Sequence, residues 1–184
     1  QEETYQKLQG TYPVIFLSFA AVKAGNLEDA KIQIKQELAR LYRENRNLMK
    51  EDIFGEDERE LYYRTTVEMD DVTAQDSLRN LSVWMERYYG KKVIILLDEY
   101  DTPMQEAYVQ GYWDEFTSFV RSLFNASFKT NPYLERAIMT GITRVSKESI
   151  FSDLNNLRVV TTTSNLYADC FGFTEEEVFA ALDE

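Results

Sequence analysis

The sequence lacks histidine altogether and contains one cysteine, Cys170. Without histidine, neither a Ser-His-Asp nor a Cys-His catalytic set can form, and the common Cys/His structural zinc sites are excluded as well. Any bound metal must therefore be held by oxygen ligands, which favours magnesium, manganese or calcium. Because a lone cysteine cannot form an internal disulfide, we expect a reducing, cytoplasmic setting.

Glycine, proline and long apolar runs are also scarce. The 184 residues include 7 Gly and 3 Pro, which predicts a chain built mostly of regular helices and strands. No apolar run approaches the roughly 20 residues that a membrane-spanning helix needs, so we expect no membrane association. The net charge of −12 repels nucleic-acid backbones, so direct binding of nucleic acid is not expected either.

Apolar runs alternate with amphipathic stretches along the chain. We predict strands at 13–19, 92–98, 135–140 and 158–163. We predict helices at 27–48 behind an Asn26 cap, at 56–64, from a Thr73 cap to Gly90, from a Thr102 cap with Pro103 at N1, at 112–128, and from the Thr174–Glu177 capping box onward. This alternation predicts a three-layer α/β fold with a mostly parallel sheet covered on both faces.

One of these strands delivers carboxylates at its end, in the stretch KKVIILLDEYDTPM (91–104). Ligands bind at the carboxyl ends of the strands in parallel α/β sheets, and Asp98 and Glu99 fall at such an end. Successive strand residues point to opposite faces, so one carboxylate can hold magnesium through its water shell while the other orients or deprotonates an attacking water. The alternative is an ordinary loop or helix-cap cluster, and Asp101 in particular could simply cap the following helix.

Four pieces of the sequence carry a family resemblance. They are YPVIFLSF (12–19), YYGKKVIILLDEYDTPM (88–104), MTGITRVSKESIFSDLNNL (139–157) and FGFTEEEV (171–178). In this order they resemble the AAA-ATPase-like family of bacterial and archaeal proteins, which often carry a PD-(D/E)XK nuclease-like domain further along. The resemblance implies a P-loop NTPase fold of the ASCE/AAA-like type, with VIILLDEYDTP similar to its Walker B strand, and ATP and Mg²⁺ as cofactors.

The resemblance also implies roles for single residues. Asp98 looks like the Walker B magnesium carboxylate, with Asp101 as a further cofactor-binding residue, and Glu99 looks like the catalytic carboxylate that polarises water. Thr140 looks like the sensor-1 residue beside the γ-phosphate, and Arg144 in the same loop could reach phosphate. The structural alternatives are a Thr140 hydroxyl bonded to its own backbone and an Arg144 surface salt bridge.

The phosphate-binding sequence G-x-x-x-x-G-K-[ST] is absent, and Gly90-Lys91-Lys92 precedes a strand instead of a helix. In proteins that resemble this one, the P-loop lies upstream of YPVIFLSF. We therefore expect an incomplete core at 1–170, without the first strand and P-loop, and the start of a helical lid or following segment at 171–184. ATP and Mg²⁺ are expected in the full-length protein, with little binding by this fragment.

The missing strand affects the expected sheet. By analogy, the strand order would be 2–3–4, a gap, then 5, which leaves an open edge beside 135–140. We expect that edge to be filled by 158–163 or by self-association with a partner chain, or to fray. Two other functions stay open: a non-catalytic interaction or regulatory module on a degenerate NTPase fold, and a carboxylate-metal nuclease. The nuclease would need a lysine near the acids, whereas Lys91 and Lys92 lie at the far end of their strand.

Overall fold

A computed structural model describes residues 3, 6–142, 154, 157–167 and 172–182. Within these residues the sheet contains three parallel strands in the order β1 (Val14–Ser18), β2 (Val93–Asp98) and β3 (Leu134–Met139). Three of the four predicted strands, at 13–19, 92–98 and 135–140, are confirmed to within one residue at each end, and so is their order as neighbours. The α/β class is therefore confirmed, and its sheet is parallel.

Helices connect and cover these strands. They are α1 (Leu27–Glu44), a 3-10 turn (Arg46–Lys50), α2 (Glu56–Arg64), α3 (Asp71–Tyr89), α4 (Thr102–Gln110), α5 (Trp113–Phe124) with a π-helical turn (Asn125–Lys129), and α6 (Glu175–Leu182). The Asn26 cap of α1 is confirmed, since its side chain accepts a hydrogen bond from the Asp29 amide at 2.9 Å. The Thr174–Glu177 capping box before α6 is confirmed in the same way.

The predicted cap of α3 is wrong by three residues. Asp70, not Thr73, is the N-cap, and its carboxylate accepts a hydrogen bond from the Thr73 amide at 2.7 Å. Aspartate caps a helix as well as a hydroxyl residue does, and it adds a favourable charge at the positive end of the helix dipole. The predicted end is confirmed, because Gly90 takes the left-handed conformation (φ 68°) that glycine adopts without strain.

The core lies between one face of the sheet and α1, α3 and α5. The strand residues of this packed face are almost completely buried: Ile15, Leu17, Val93, Ile95 and Leu97. Their helical partners are equally buried: Ile34, Leu38, Leu78, Leu81, Phe116, Val120 and Leu123. Burying one such side chain contributes about 1.5–3 kcal/mol, so this layer accounts for most of the hydrophobic stabilisation.

The opposite face of the sheet, which we call the open face, is formed by Val14, Phe16, Ile94, Leu96 and Ile138. Phe16 is 52% exposed and Ile138 is 53% exposed, so nothing among the described residues covers this face. The expectation of a third layer is therefore not met there. Right-handed crossovers put their helices on one side when each new strand is added in the same direction, as in the order β1-β2-β3.

The predicted strand at 158–163 is wrong. The structure describes 157–167 and has no strand there, and Val159 and Val160 are largely exposed. Thr161 instead begins a turn in which its carbonyl accepts from the Ser164 amide at 2.9 Å, and its amide donates to the Ser164 hydroxyl at 2.9 Å. A β-branched run becomes a strand only where it can pair, and serine and threonine hydroxyls offer the backbone a competing turn.

Two further expectations concern the domain boundary and membrane-spanning helices. The proposed boundary at 170/171 falls among residues that the structure does not describe. None of the helices within the described ranges is long and apolar enough to cross a membrane.

Candidate functional site

Polar side chains meet where the three strands end on the open face. Asp98 ends β2, Ser18 is its partner in the register of β1, and Thr140 directly follows β3. The Asp98 Oδ2 accepts a hydrogen bond from the Ser18 hydroxyl at 3.1 Å, and its Oδ1 accepts one from the Thr140 hydroxyl at 2.6 Å. The carboxylate is therefore held between two hydroxyls, one from each neighbouring strand.

Strand geometry explains why this cluster faces away from the core. Side chains alternate between the two faces along β2, so a buried Leu97 places Asp98 on the open face, where it is partly exposed. A carboxylate oxygen has two acceptor positions, and each oxygen of Asp98 accepts one bond from a hydroxyl here. Asp98 is thus oriented by the protein and still has acceptor capacity toward the open face.

Thr140 connects Asp98 with Glu99. Its hydroxyl donates to Asp98 and also accepts a long hydrogen bond, 3.4 Å, from the Glu99 amide. Its backbone amide donates to the Leu97 carbonyl at 2.9 Å. The alternative in which Thr140 bonds only to its own backbone is therefore not what the structure has, because its side chain bridges two residues of the neighbouring strand end.

Glu99 leaves the strand in an unusual backbone conformation. Its φ of 49° is in the left-handed region, which residues other than glycine seldom adopt, and such strain is common at functional sites. The Glu99 Oε2 accepts a hydrogen bond from the Thr102 hydroxyl at 3.0 Å. The sharp turn therefore directs this carboxylate toward the start of α4 and away from the line of β2.

Asp101 is buried beneath the turn, with 1% of its surface exposed. Helix α4 begins at Thr102, so Asp101 occupies the N-cap position and the predicted Thr102 cap is wrong by one residue. The Asp101 side chain makes no capping bond; its Oδ2 accepts from the Gln105 amide group at 3.0 Å. The buried position directs the carboxylate inward, and its predicted cofactor-binding role remains a prediction.

Two basic residues named in the sequence analysis do not add to this cluster as the structure describes it. Arg144 is outside the described residues. Lys91 lies at the other end of β2, with its Nζ 5.2 Å from the centre of the Tyr12 ring. The structure therefore does not bring Lys91 to Asp98 and Glu99, and the nuclease alternative gains no support from this end of β2.

The donor set at the strand ends suits one kind of metal. Asp98, Ser18 and Thr140 offer only oxygen atoms, and magnesium usually keeps several waters while it binds one or two carboxylates. Within the described residues there is no group of three or more Asp, Glu or Cys side chains that could hold an ion directly. The residues present therefore fit Mg²⁺ held largely through its water shell, with Asp98 as the carboxylate.

Ser18 was missed by sequence reasoning. Its position at the end of an apolar run resembles that of many strand-end hydroxyls, and a sequence does not give the register between strands. The available signal was the parallel pairing itself, because the carboxyl ends of neighbouring parallel strands meet at one edge of the sheet. In a parallel pair of 13–19 and 92–98, Ser18 falls beside the acids that follow Leu97.

This chain belongs to the AAA-ATPase-like family, described as predicted AAA-ATPase, whose family model matches residues 1–151. It is also similar to an uncharacterized protein in the vnfD 5' region of Azotobacter chroococcum mcd 1, with 33% identity over 92 residues. That match covers 50% of this chain and 18% of the relative, so the chain spans a small part of that protein. No solved structure matches the chain.

Proposed function

We propose that this chain supplies the Walker B and sensor-1 elements of an AAA-like domain that binds and hydrolyses ATP. The observation that carries the proposal is the Asp98 carboxylate, held by the Ser18 and Thr140 hydroxyls at the ends of adjacent parallel strands. Membership of the AAA-ATPase-like family supports it. The chemistry needs no histidine, since phosphoryl transfer relies mainly on positioning and charge stabilisation.

Each residue then has a separate task. Asp98 would hold the magnesium ion, which, when bound, neutralises charge on the phosphates. Glu99 would accept a hydrogen bond or a proton from the attacking water, and the Thr102 hydroxyl orients its carboxylate. Thr140 keeps Asp98 in place and presents its exposed hydroxyl at the same edge of the sheet.

The phosphate-binding loop would come from sequence other than these 184 residues. A loop of that type uses closely spaced backbone amides and one lysine, and no G-x-x-x-x-G-K-[ST] stretch is present. For the isolated chain we therefore expect weak binding of ATP, or none. Arg144 would supplement the charge on the nucleotide side.

The open face favours a second candidate, a non-catalytic interaction or regulatory module on the same fold. Phe16 and Ile138 are each more than half exposed, and apolar patches of this kind mark interaction surfaces in many soluble proteins. In that case the strand-end acids are structural, and the protein has no nucleotide chemistry. The two candidates differ in whether the full-length protein binds and turns over Mg-ATP, which can be measured directly.

The test is Mg-ATP turnover by the full-length protein, with Glu99→Gln as the variant. We expect turnover to fall by about 100-fold or more, the usual contribution of a general base, while ATP binding persists. Glu135→Gln is the matched control, because Glu135 is exposed on β3 far from the acids, and it should leave turnover unchanged. A protein with neither binding nor turnover favours the interaction module, and turnover that survives Glu99→Gln removes Glu99 from the mechanism.

A further inference from the structure

Gly141 lies directly against the buried Asp101. A Cβ atom added at Gly141 would be 2.5 Å from Asp101 Oδ1, 2.8 Å from Asp101 Cγ and 2.9 Å from a ring carbon of Tyr100. All three distances are shorter than side-chain carbons tolerate. The backbone of Gly141 is not in the left-handed region, so the close contact alone requires glycine here.

The carboxylate that contacts Gly141 has little freedom to move. Asp101 is almost fully buried at the first turn of α4, and its Oδ2 accepts a hydrogen bond from the Gln105 side chain. Its backbone carbonyl accepts from the Gln105 amide at 2.9 Å, which begins the helix. Asp101 is thus attached to a rigid element at the point where the chain after β3 passes over it.

The residue just before Gly141 is Thr140, which bridges Asp98 and Glu99. The Thr140 carbonyl accepts from the Tyr100 amide at 3.0 Å, and its amide donates to the Leu97 carbonyl at 2.9 Å. Backbone hydrogen bonds to β2 therefore hold this segment on one side of Thr140, and on the other side the closely packed Asp101 carboxylate limits its movement. A displacement of Gly141 would pull the Thr140 hydroxyl away from Asp98.

We infer that Asp101 and Gly141 form a latch, the close contact between a buried carboxylate and a glycine, that positions Thr140 against Asp98. Asp101 acts through Thr140 and is a positioning residue, which differs from a role in binding the cofactor. The inference rests on the proposed function for its consequence in catalysis, because errors of about 1 Å in positioning can cost 100-fold in rate. The latch itself is a property of the chain alone.

Hydrogen exchange tests the latch without any nucleotide. In the full-length protein, Gly141→Ala should speed amide exchange in the peptides that contain Tyr100 and Thr140 by about tenfold or more, since their mutual bonds open locally. Gly25→Ala is the matched control: that glycine has no heavy atom within 4 Å of an added Cβ and no left-handed backbone, so exchange there should stay as it is. Unchanged exchange in Gly141→Ala overturns the inference.

A second background separates the latch from general damage. In an Asp101→Ala protein the two closest contacts of the new methyl group are gone and only the Tyr100 ring carbon at 2.9 Å remains. Adding Gly141→Ala to that protein should therefore speed exchange by at most about a third of its effect in the wild-type background. Equal effects in both backgrounds overturn the inference. Should Gly141→Ala alone fail to fold, recovery of folding in the double variant supports the latch, and continued failure overturns it.

Kinetics distinguish positioning from structure. Gly141→Ala should lower kcat by about tenfold with KM within about twofold, because the misplaced Thr140 affects the transition state more than binding. An unchanged kcat overturns the positioning role. If the wild-type protein has no turnover, the proposed function fails, and the exchange experiment still decides whether Asp101 holds Gly141 in place.

Discussion

The two faces of the sheet differ in what their side chains do. On the packed face, Leu97 is 1% exposed and lies among the helices, whereas on the open face Phe16 is 52% exposed. The same strand supplies both faces, since Leu97 and Asp98 are neighbours in β2. The packed face contributes the hydrophobic stabilisation, and the open face ends in the polar cluster of Ser18, Asp98 and Thr140.

The difference shows how a rigid packed layer can fix the geometry of a polar edge. Backbone hydrogen bonds of parallel strands fix the ends of β1, β2 and β3 relative to one another, and those strands are anchored by the side chains buried on the other face. Polar groups on rigid elements keep their geometry better than groups on loops. The polar cluster of Ser18, Asp98 and Thr140 is therefore held in place by side chains that pack on the opposite face of the sheet.

The largest effect is expected from two adjacent leucines. Leu97→Ala should lower the free energy of unfolding by about 3 kcal/mol, because it removes a fully buried side chain and leaves a cavity. Leu96→Ala, one residue away on the open face, should cost less, about 1–2 kcal/mol, since that side chain is partly in water and its removal leaves no enclosed cavity. Urea denaturation of the 184-residue chain measures both.

This pair of variants tests whether the two faces of the sheet differ in solution. Equal losses for Leu96→Ala and Leu97→Ala would show that the open face is covered in solution by residues outside the described ranges or by another molecule. A difference of about 1 kcal/mol or more, with Leu97→Ala the larger loss, would confirm that the two faces are energetically distinct.

The start of α1, the end of α3 and strand β2 were predicted well from the sequence. Asn26, Gly90 and the apolar stretch before Asp98 give local signals that are independent of the rest of the chain. These features depend on capping, backbone conformation and strand geometry, each of which acts over a few residues.

The parts that sequence reasoning missed depend on distant residues. Whether a sheet is covered on one face or two depends on the direction in which strands are added, which periodicity does not reveal. The stretch predicted as a strand at 158–163 had the right composition but pairs with no strand in the part of the chain that the structure describes. Ser18 and Gly141 have roles only because register and burial bring them to Asp98 and Asp101.

The next effect tests a charged contact on the packed side. Asp71, at the start of α3, forms salt bridges with Lys31 at 2.7 Å and with the nearly buried Lys35 at 2.8 Å, both on α1. Partial burial raises the pKa of Asp71, but the bonds from the two lysines outweigh it and hold that pKa below its usual value. Asp71→Asn should cost about 1–2 kcal/mol at pH 7, after allowance for the exposed part of the carboxylate.

The pH dependence has a defined sign. Because the pKa of Asp71 is lower in the folded state, its contribution is fully present above the pKa of the unfolded chain and is lost as pH falls below about 4. Wild type and Asp71→Asn should therefore approach each other in stability toward pH 2–3, which urea titrations across pH would detect. Asp57→Asn is the control for the helix dipole, since Asp57 is an exposed acid in the first turn of α2. A stability difference between wild type and Asp71→Asn that stays constant with pH would rule out the Asp71 carboxylate as its source.

The smallest effect is expected from Ser18→Ala, for which Ser82→Ala in the core is the comparison. Ser18→Ala removes one of two donors to Asp98, and water can replace it at a partly exposed carboxylate, so the free energy of unfolding should change by less than about 1 kcal/mol. Ser82 is fully buried, and its hydroxyl accepts a hydrogen bond from the buried Asn131 amide group at 3.0 Å. Ser82→Ala should therefore cost about 1–3 kcal/mol, because that donor loses its acceptor away from water.

Equal losses for Ser18→Ala and Ser82→Ala in urea denaturation would mean that water does not reach Asp98. The open face would then be closed in solution, and a magnesium ion could not approach Asp98 through its water shell. If Ser18→Ala lowers the free energy of unfolding by less than Ser82→Ala, as we expect, then water reaches Asp98. A site that contributes little to stability can lose a donor and stay folded, so the consequence of Ser18→Ala should appear in magnesium-dependent turnover of the full-length protein before it appears in unfolding.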